Sequence, residues 1–171
     1  MKVITAIEDY IPKKDDITVF LAGGISDCDN WQQKVIDYLN NEDHTEHLVL
    51  FNPRRDNFPI NDPSASQKQI EWEFYKIQSA DIFSIYFCES KSNQPICLYE
   101  LGRNIPVFIN KYNNWYDRIL ITCESNYSRK ADVVIQTDLA TGIKGFASDD
   151  GNAKIHATKI YITYHILKNT K

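Results

Sequence analysis

The stretch "QPICLYELGRN", residues 94 to 104, sets one carboxylate, Glu100, among Ile96, Leu98, Tyr99 and Leu101. A carboxylate buried unpaired among such residues costs several kcal/mol, so Glu100 must be exposed, paired, or placed for chemistry. Glu73 raises the same question. It lies three residues after Ile70 and four before Ile77, bordering the apolar side of a helical pattern, with Trp72 next to it. Two carboxylates entering one site would supply the pair that glycosidic-bond chemistry uses, one as nucleophile and one as acid. The spacing permits this, and it equally permits two solvated surface glutamates.

Other residues could complete such a site. "FLAGGIS" puts Gly23 and Gly24 at the end of an apolar run, where missing side chains let a ligand approach the backbone and amide hydrogens face outward. An ordinary turn is the other reading. "FNPRRDNFP" places Arg54 and Arg55 just past a second run, where a guanidinium fork could bind phosphate or carboxylate, or simply be solvated. Trp31, Trp72 and Phe58 are candidates for stacking on a ring, with core packing as the alternative.

The elements that must position these residues follow from apolar periodicity. "ITVFLAG" (17 to 23), "HLVLFNP" (47 to 53), "DIFSIYFC" (81 to 88), "IPVFIN" (105 to 110) and "DRILITCE" (117 to 124) read as strands, with "ADVVIQTD" (131 to 138) as a further candidate. Between the first two, Trp31, Val35, Tyr38 and Leu39 fall on one helical face, and Asn30 with Gln33 forms a capping pair. A second helix is expected from Ser64 and Gln67 at capping-box spacing, with Ile70, Phe74 and Ile77 on its inner face. The segment around Glu100 reads as a helix opened by Pro95 and ending near Gly102. The tail aligns Ala157, Ile160, Tyr161, Tyr164 and Leu167 as a last helix, with strand as the alternative for its β-branched content. Strand-helix alternation at this spacing implies α/β architecture: a doubly wound, flavodoxin-like parallel sheet of about five strands flanked by helices. In such sheets the ligand lies beyond the carboxyl ends of the strands, where the strand order reverses.

Composition narrows the function. With 171 residues, 43% of them hydrophobic, the chain is expected to form a single domain, 1–171. A net charge of -4 offers no overall basic field for a nucleic-acid polymer. No window approaches the ~18 apolar residues of a membrane span and no signal peptide is evident, so membrane association is not expected and the cytoplasm is the expected location. Cys28, Cys88, Cys97 and Cys123 are dispersed as reduced thiols, and His44, His47, His156 and His165 form no ligand pattern. No metal or organic cofactor is expected.

In this order, "FLAGGI" with a following "WQ", then "NPRR", "IEWEFYKIQSAD" and "PICLYELG" resemble the nucleoside 2-deoxyribosyltransferase family, as far as about Asn110. The resemblance implies glycosyl transfer at the N-glycosidic bond of a nucleoside or nucleotide. By match Glu100 is the nucleophile. Glu73, eight positions before the Asp81 that opens a strand, assists it. Gly23 and Gly24 would let the nucleoside lie against the first strand, and Asp81, Arg54, Arg55 and Trp72 join the candidate binding set. Six positions before the nucleophile the family commonly has an aspartate that contacts the sugar or orients the glutamate; here it is Gln94. A first-strand tyrosine of some members is Phe20. Both departures, and the arginines, keep two alternatives open: an N-glycoside hydrolase, acting on a nucleotide held by its phosphate, and a non-catalytic nucleotide-binding module. The resemblance also implies a homo-oligomer.

Overall fold

Short β-branched runs followed by amphipathic stretches give strands buried on both faces and helices that cover them. The computed structural model describes residues 1–59 and 61–170. Its elements are β1 (Lys2–Thr5), β2 (Ile17–Gly23), α1 (Trp31–Asn40), β3 (Leu48–Asn52), α2 (Pro63–Ser79), β4 (Ile82–Phe87), α3 (Pro95–Lys111), a 3-10 turn (Trp115–Asp117), β5 (Ile119–Cys123), α4 (Lys130–Thr141) and α5 (Ala153–Lys168). The strands form one parallel sheet in the order β1-β3-β2-β4-β5. This is the expected doubly wound α/β sheet. The succession β3-β2-β4-β5 is flavodoxin-like, and β1 extends it at the β3 edge.

Alternate strand residues feed two cores. Phe20 and Ala22 of β2 point to the side covered by Trp72 and Ile77 of α2, Leu101 and Phe108 of α3 and Val133 of α4. Val19 and Leu21 point to the other side, against Val35 and Leu39 of α1 and Ile160 and Tyr164 of α5. On that second side His156 is fully buried, its ring nitrogens bonded to Ser84 Oγ at 2.7 Å and Thr122 Oγ1 at 2.8 Å. Burial pushes its pKa down to about 3, so the ring is neutral at physiological pH.

The structure corrects several expectations. "IPVFIN" is not a strand; it continues α3, with Pro106 inside the helix. Leu101, Ile105 and Phe108 recur at helical spacing and are buried. Gly102, four residues earlier, supplies the carbonyl that a proline ring crowds, and it carries no side chain to worsen the fit. "ADVVIQTD" lies in α4, burying Val133 and Thr137 one turn apart. The missing strand is instead β1, whose single well-buried residue, Ile4, leaves no alternating pattern to read. Asn30 caps α1 as expected, its Oδ1 accepting from the Gln33 amide at 3.1 Å. On α1, however, Ile36 rather than Tyr38 turns inward. On α2 the cap is Asp62, which accepts from the Ser64 amide, while Gln67 donates to Glu71. Of the expected inner face only Ile77 is buried; Ile70 and Phe74 are exposed.

Between β3 and β4 in space lies β2, so the connection through α1 covers one face and that through α2 crosses the other. The loops leaving β2 and β4 therefore diverge, and a crevice opens at their carboxyl ends.

Candidate active site

That crevice is a cavity of about 290 Å³, lined by Phe20, Gly23, Gly24, Pro53, Glu73, Gln94, Cys97 and Glu100 among others. Both candidate carboxylates reach it, Glu73 from α2 and Glu100 from α3. The helix that carries Glu100 is tied to its neighbour by a short relay: Gln78 Nε2 donates to Asn104 Oδ1 at 3.2 Å, and Asn104 Nδ2 donates to the Glu100 carbonyl at 2.8 Å. Asn104 is fully buried, which fixes the turn that carries Glu100.

Each carboxylate is half-buried. Burial first, then the negative charge of Glu73, pushes the Glu100 carboxyl up to about 7, against the opposing pull of Arg103. Glu73 is raised too, by burial, and held back by the Gln69 amide that donates to its Oε1 at 2.9 Å. Burial raises both carboxyls, and the negative charge of Glu73 makes Glu100 the harder to ionise. The cavity also holds a thiol, Cys97, but burial pushes it up to about 12, so it is not a thiolate nucleophile at neutral pH.

The glycines are required by packing before any ligand arrives. Gly23 has φ +150, and a Cβ there would run into the Tyr86 carbonyl and the Trp31 ring. At Gly24 a Cβ would lie 2.7 Å from Gln94 Cδ. Trp31 Nε1 donates to the Gly24 carbonyl at 2.9 Å, so Trp31 is a core residue that anchors this loop.

Gln94 opens α3 in the left-handed region, φ 49, and is 4% exposed. Its Nε2 donates to the Cys88 carbonyl at 2.7 Å, a bond no ionised aspartate could make. Its Oε1 is buried and unpartnered.

Other candidates lie elsewhere. Arg54 is a clamp: Nε donates to Gln32 Oε1 at 2.9 Å, and the Nη2 group reaches the carbonyls of Gly24, Cys28 and Asp29 at 3.1–3.4 Å. Arg55 stacks over the ring of Phe58, and neither lines the cavity. Trp72 sits in the core against Phe20 and Phe51, its Nε1 donating to the Glu8 carbonyl at 2.9 Å. Asp81 is at the opposite end of the sheet, before β4, accepting from Thr18 N and Oγ1 at 2.9 Å and facing Arg118 at 3.8 Å. Sequence reasoning missed Gln69 and Pro53; the signal for Gln69 was its position one helical turn before Glu73.

Among the described residues, no group of three or more His, Cys, Asp or Glu could hold a metal ion, and no helix is long and apolar enough to cross a membrane. Residues 16–127, which carry both carboxylates, match the model of a family described as "Nucleoside 2-deoxyribosyltransferase like". No curated protein matches the chain.

Proposed function

Since the chain belongs to the nucleoside 2-deoxyribosyltransferase-like family, we propose that it transfers a deoxyribosyl group at the N-glycosidic bond of a nucleoside, with Glu100 as nucleophile and Glu73 as acid and base. The observation that supports this most is the meeting of these two half-buried carboxylates in one cavity at the switch point of the sheet. Ionised Glu100 attacks the anomeric carbon through an oxocarbenium-like transition state, while the electron pair of the C–N bond leaves with the base. Glu73 supplies the proton that the base takes up. A covalent glycosyl ester results. A second base then attacks the same carbon and returns its proton to Glu73, and two inversions give net retention.

The substrate is best read as an unphosphorylated nucleoside. Among the described residues, the cavity lining contains two carboxylates and no Lys or Arg, so a phosphate there would meet like charge. The arginines that suggested phosphate binding are engaged with backbone carbonyls, Gln32 and Phe58. A hydrolase differs only in accepting water in the second step. Gln94 and Phe20, which stand where the family resemblance implies a common aspartate and, in some members, a tyrosine, support that second reading.

The proposal includes a homo-oligomer. Ile70, Phe74 and Tyr75 of α2 and Ile96 and Tyr99 of α3 form an exposed apolar face beside the cavity, with Arg103 stacked on Phe74 and Tyr99. Light scattering on the wild type should give more than one copy, and Ile70→Glu with Tyr99→Glu should give a monomer.

The test of function is incubation with a deoxynucleoside, with and without a second free base. Exchange products support transfer, and free base without exchange supports hydrolysis. A ligand bound tightly and released unchanged, insensitive to Glu100→Ala, would leave a binding module in their place.

A further inference from the structure

The Glu73 carboxyl has two oxygens on which a proton can reside, and one of them already accepts a hydrogen bond. Gln69 narrows the choice on Glu73. It lies one turn earlier on α2, and its Nε2 donates to Glu73 Oε1 and to the Pro53 carbonyl, both at 2.9 Å. The Pro53 oxygen can only accept, so the amide is oriented: its NH2 group faces the junction of β3 and α2, and its Oε1 is buried without a partner. A proton on Glu73 Oε1 would meet that NH2 group donor to donor. Glu73 Oε2 has no such opposition.

We propose that Gln69 is a positioning residue, holding Glu73 so that the exchangeable proton is carried and delivered by Oε2 alone. The proposal rests on the reading of Glu73 as the acid and base of glycosyl transfer. When Glu73 is ionised, the Gln69 N–H bonds to a carboxylate oxygen. When Oε2 is protonated, Oε1 is a carbonyl oxygen and keeps the same bond. In the first half-reaction the Oε2–H bond breaks as an N–H bond forms on the departing base, while the glycosidic electron pair moves to that nitrogen and a C–O bond forms to Glu100. In the second half-reaction the incoming base forms a C–N bond and gives its proton back to Oε2, while the C–O bond breaks and its electron pair returns to the Glu100 carboxylate. The carboxyl group need not rotate between the two.

The titratable groups that face Glu73 are on α3: Glu100, the Cys97 thiol and, through Glu100, the Arg103 guanidinium. Among the described residues, β2 contributes Phe20, Ala22 and Gly23 to the shared cavity lining, none of them titratable, and the Pro53 carbonyl after β3 is bonded to Gln69. Gln69 is therefore the neutral donor that biases Glu73 toward ionisation, and removing it shifts a titration as well as a geometry.

The test replaces the amide with a side chain of similar size and no donor, Gln69→Met, and follows the Glu73 carboxyl by ¹³C NMR, assigned with Glu73→Gln. The expected result is a Glu73 midpoint about one pH unit higher, the worth of one hydrogen bond to a charged group. The high-pH limb of kcat should move with it, kcat should fall about tenfold, and KM should stay within about twofold, the pattern of an interaction needed in the transition state. Gln69→Glu, which puts an acceptor in the donor's place, should raise the midpoint further and serves if Gln69→Met does not fold. An unmoved midpoint in a folded variant overturns the proposal, as does a loss of kcat with an unshifted pH profile. If the wild type shows no glycosyl activity, the functional reading fails, while the NMR midpoint still decides whether Gln69 controls Glu73.

Discussion

Replacing Glu100 by glutamine should abolish turnover and, above neutral pH, make the protein more stable. The carboxyl is held at about 7 against an ordinary 4.5, chiefly by burial and then by Glu73. A carboxyl whose folded pKa is raised favours the fold in its protonated form. Its contribution is complete below about pH 4.5 and is lost as pH rises through 7. At ~1.4 kcal/mol per pH unit the loss is about 3 kcal/mol, and because the group is only half-buried, solvent screening reduces this to roughly 2–3 kcal/mol. Glutamine has the same shape and nothing to ionise. Removing the charge also relieves Glu73, which acts in the same direction. For a chain of this size the gain corresponds to roughly 5–10 °C in Tm. Urea unfolding at pH 4 and pH 8.5 measures it: the variant and wild type should nearly coincide at the lower pH and separate at the higher. Equal stabilities at pH 8.5, or the same difference at both pH values, would refute the reasoning.

Glu73→Gln should lower kcat by ~10²–10⁴-fold, the usual worth of a positioned acid, and remove the high-pH limb of an otherwise bell-shaped profile. A low-pH limb set by ionisation of Glu100 should remain but move to lower pH, because the Glu73 charge no longer raises that carboxyl. Arg54→Met should loosen the loop from Gly24 to Asp29, costing about 1–3 kcal/mol in urea unfolding through the buried partners it abandons, without changing any preference between nucleoside and nucleotide. His156→Leu should destabilise by roughly 2–5 kcal/mol, since Ser84 and Thr122 lose their buried partner. The wild type should also lose stability as pH falls from about 6.5 toward 3, because the unfolded chain takes up a proton that buried His156 refuses, and the variant should show a shallower slope in that window.

Much of the fold was legible because strands covered on both faces must be apolar throughout: β2, β3, β4 and β5 stood out as runs. The errors came where periodicity was overruled by a familiar residue. Gly102 suggested the end of a helix and "IPVFIN" a strand, yet Leu101, Ile105 and Phe108 kept helical spacing through both. Ile70 and Phe74 looked like a core face because apolar spacing does not say whether a helix buries its stripe against its own sheet; here the deeply buried contributions of α2 come from Ala65, Trp72 and Ile77. The two glutamates and two glycines were legible from chemistry and motif order, and the structure brings all four to one cavity. Arg54 and Trp72 were not separable from binding residues by type alone. Their partners, the carbonyls of Gly24 through Asp29 and of Glu8, are distant in sequence and carry no signal there. Gln69 escaped notice because an amide on a helix is ordinary until its partners are known.

In the proposed mechanism Glu100 carries the sugar between the two halves of the reaction. Mixing the protein with a deoxynucleoside and no acceptor base, quenching in acid, and mapping peptides by mass spectrometry tests it directly. A deoxyribosyl adduct is expected on the peptide containing Glu100, discharged by a second base and missing from Glu100→Gln. An adduct on another residue, or turnover that persists in Glu100→Ala, would contradict it.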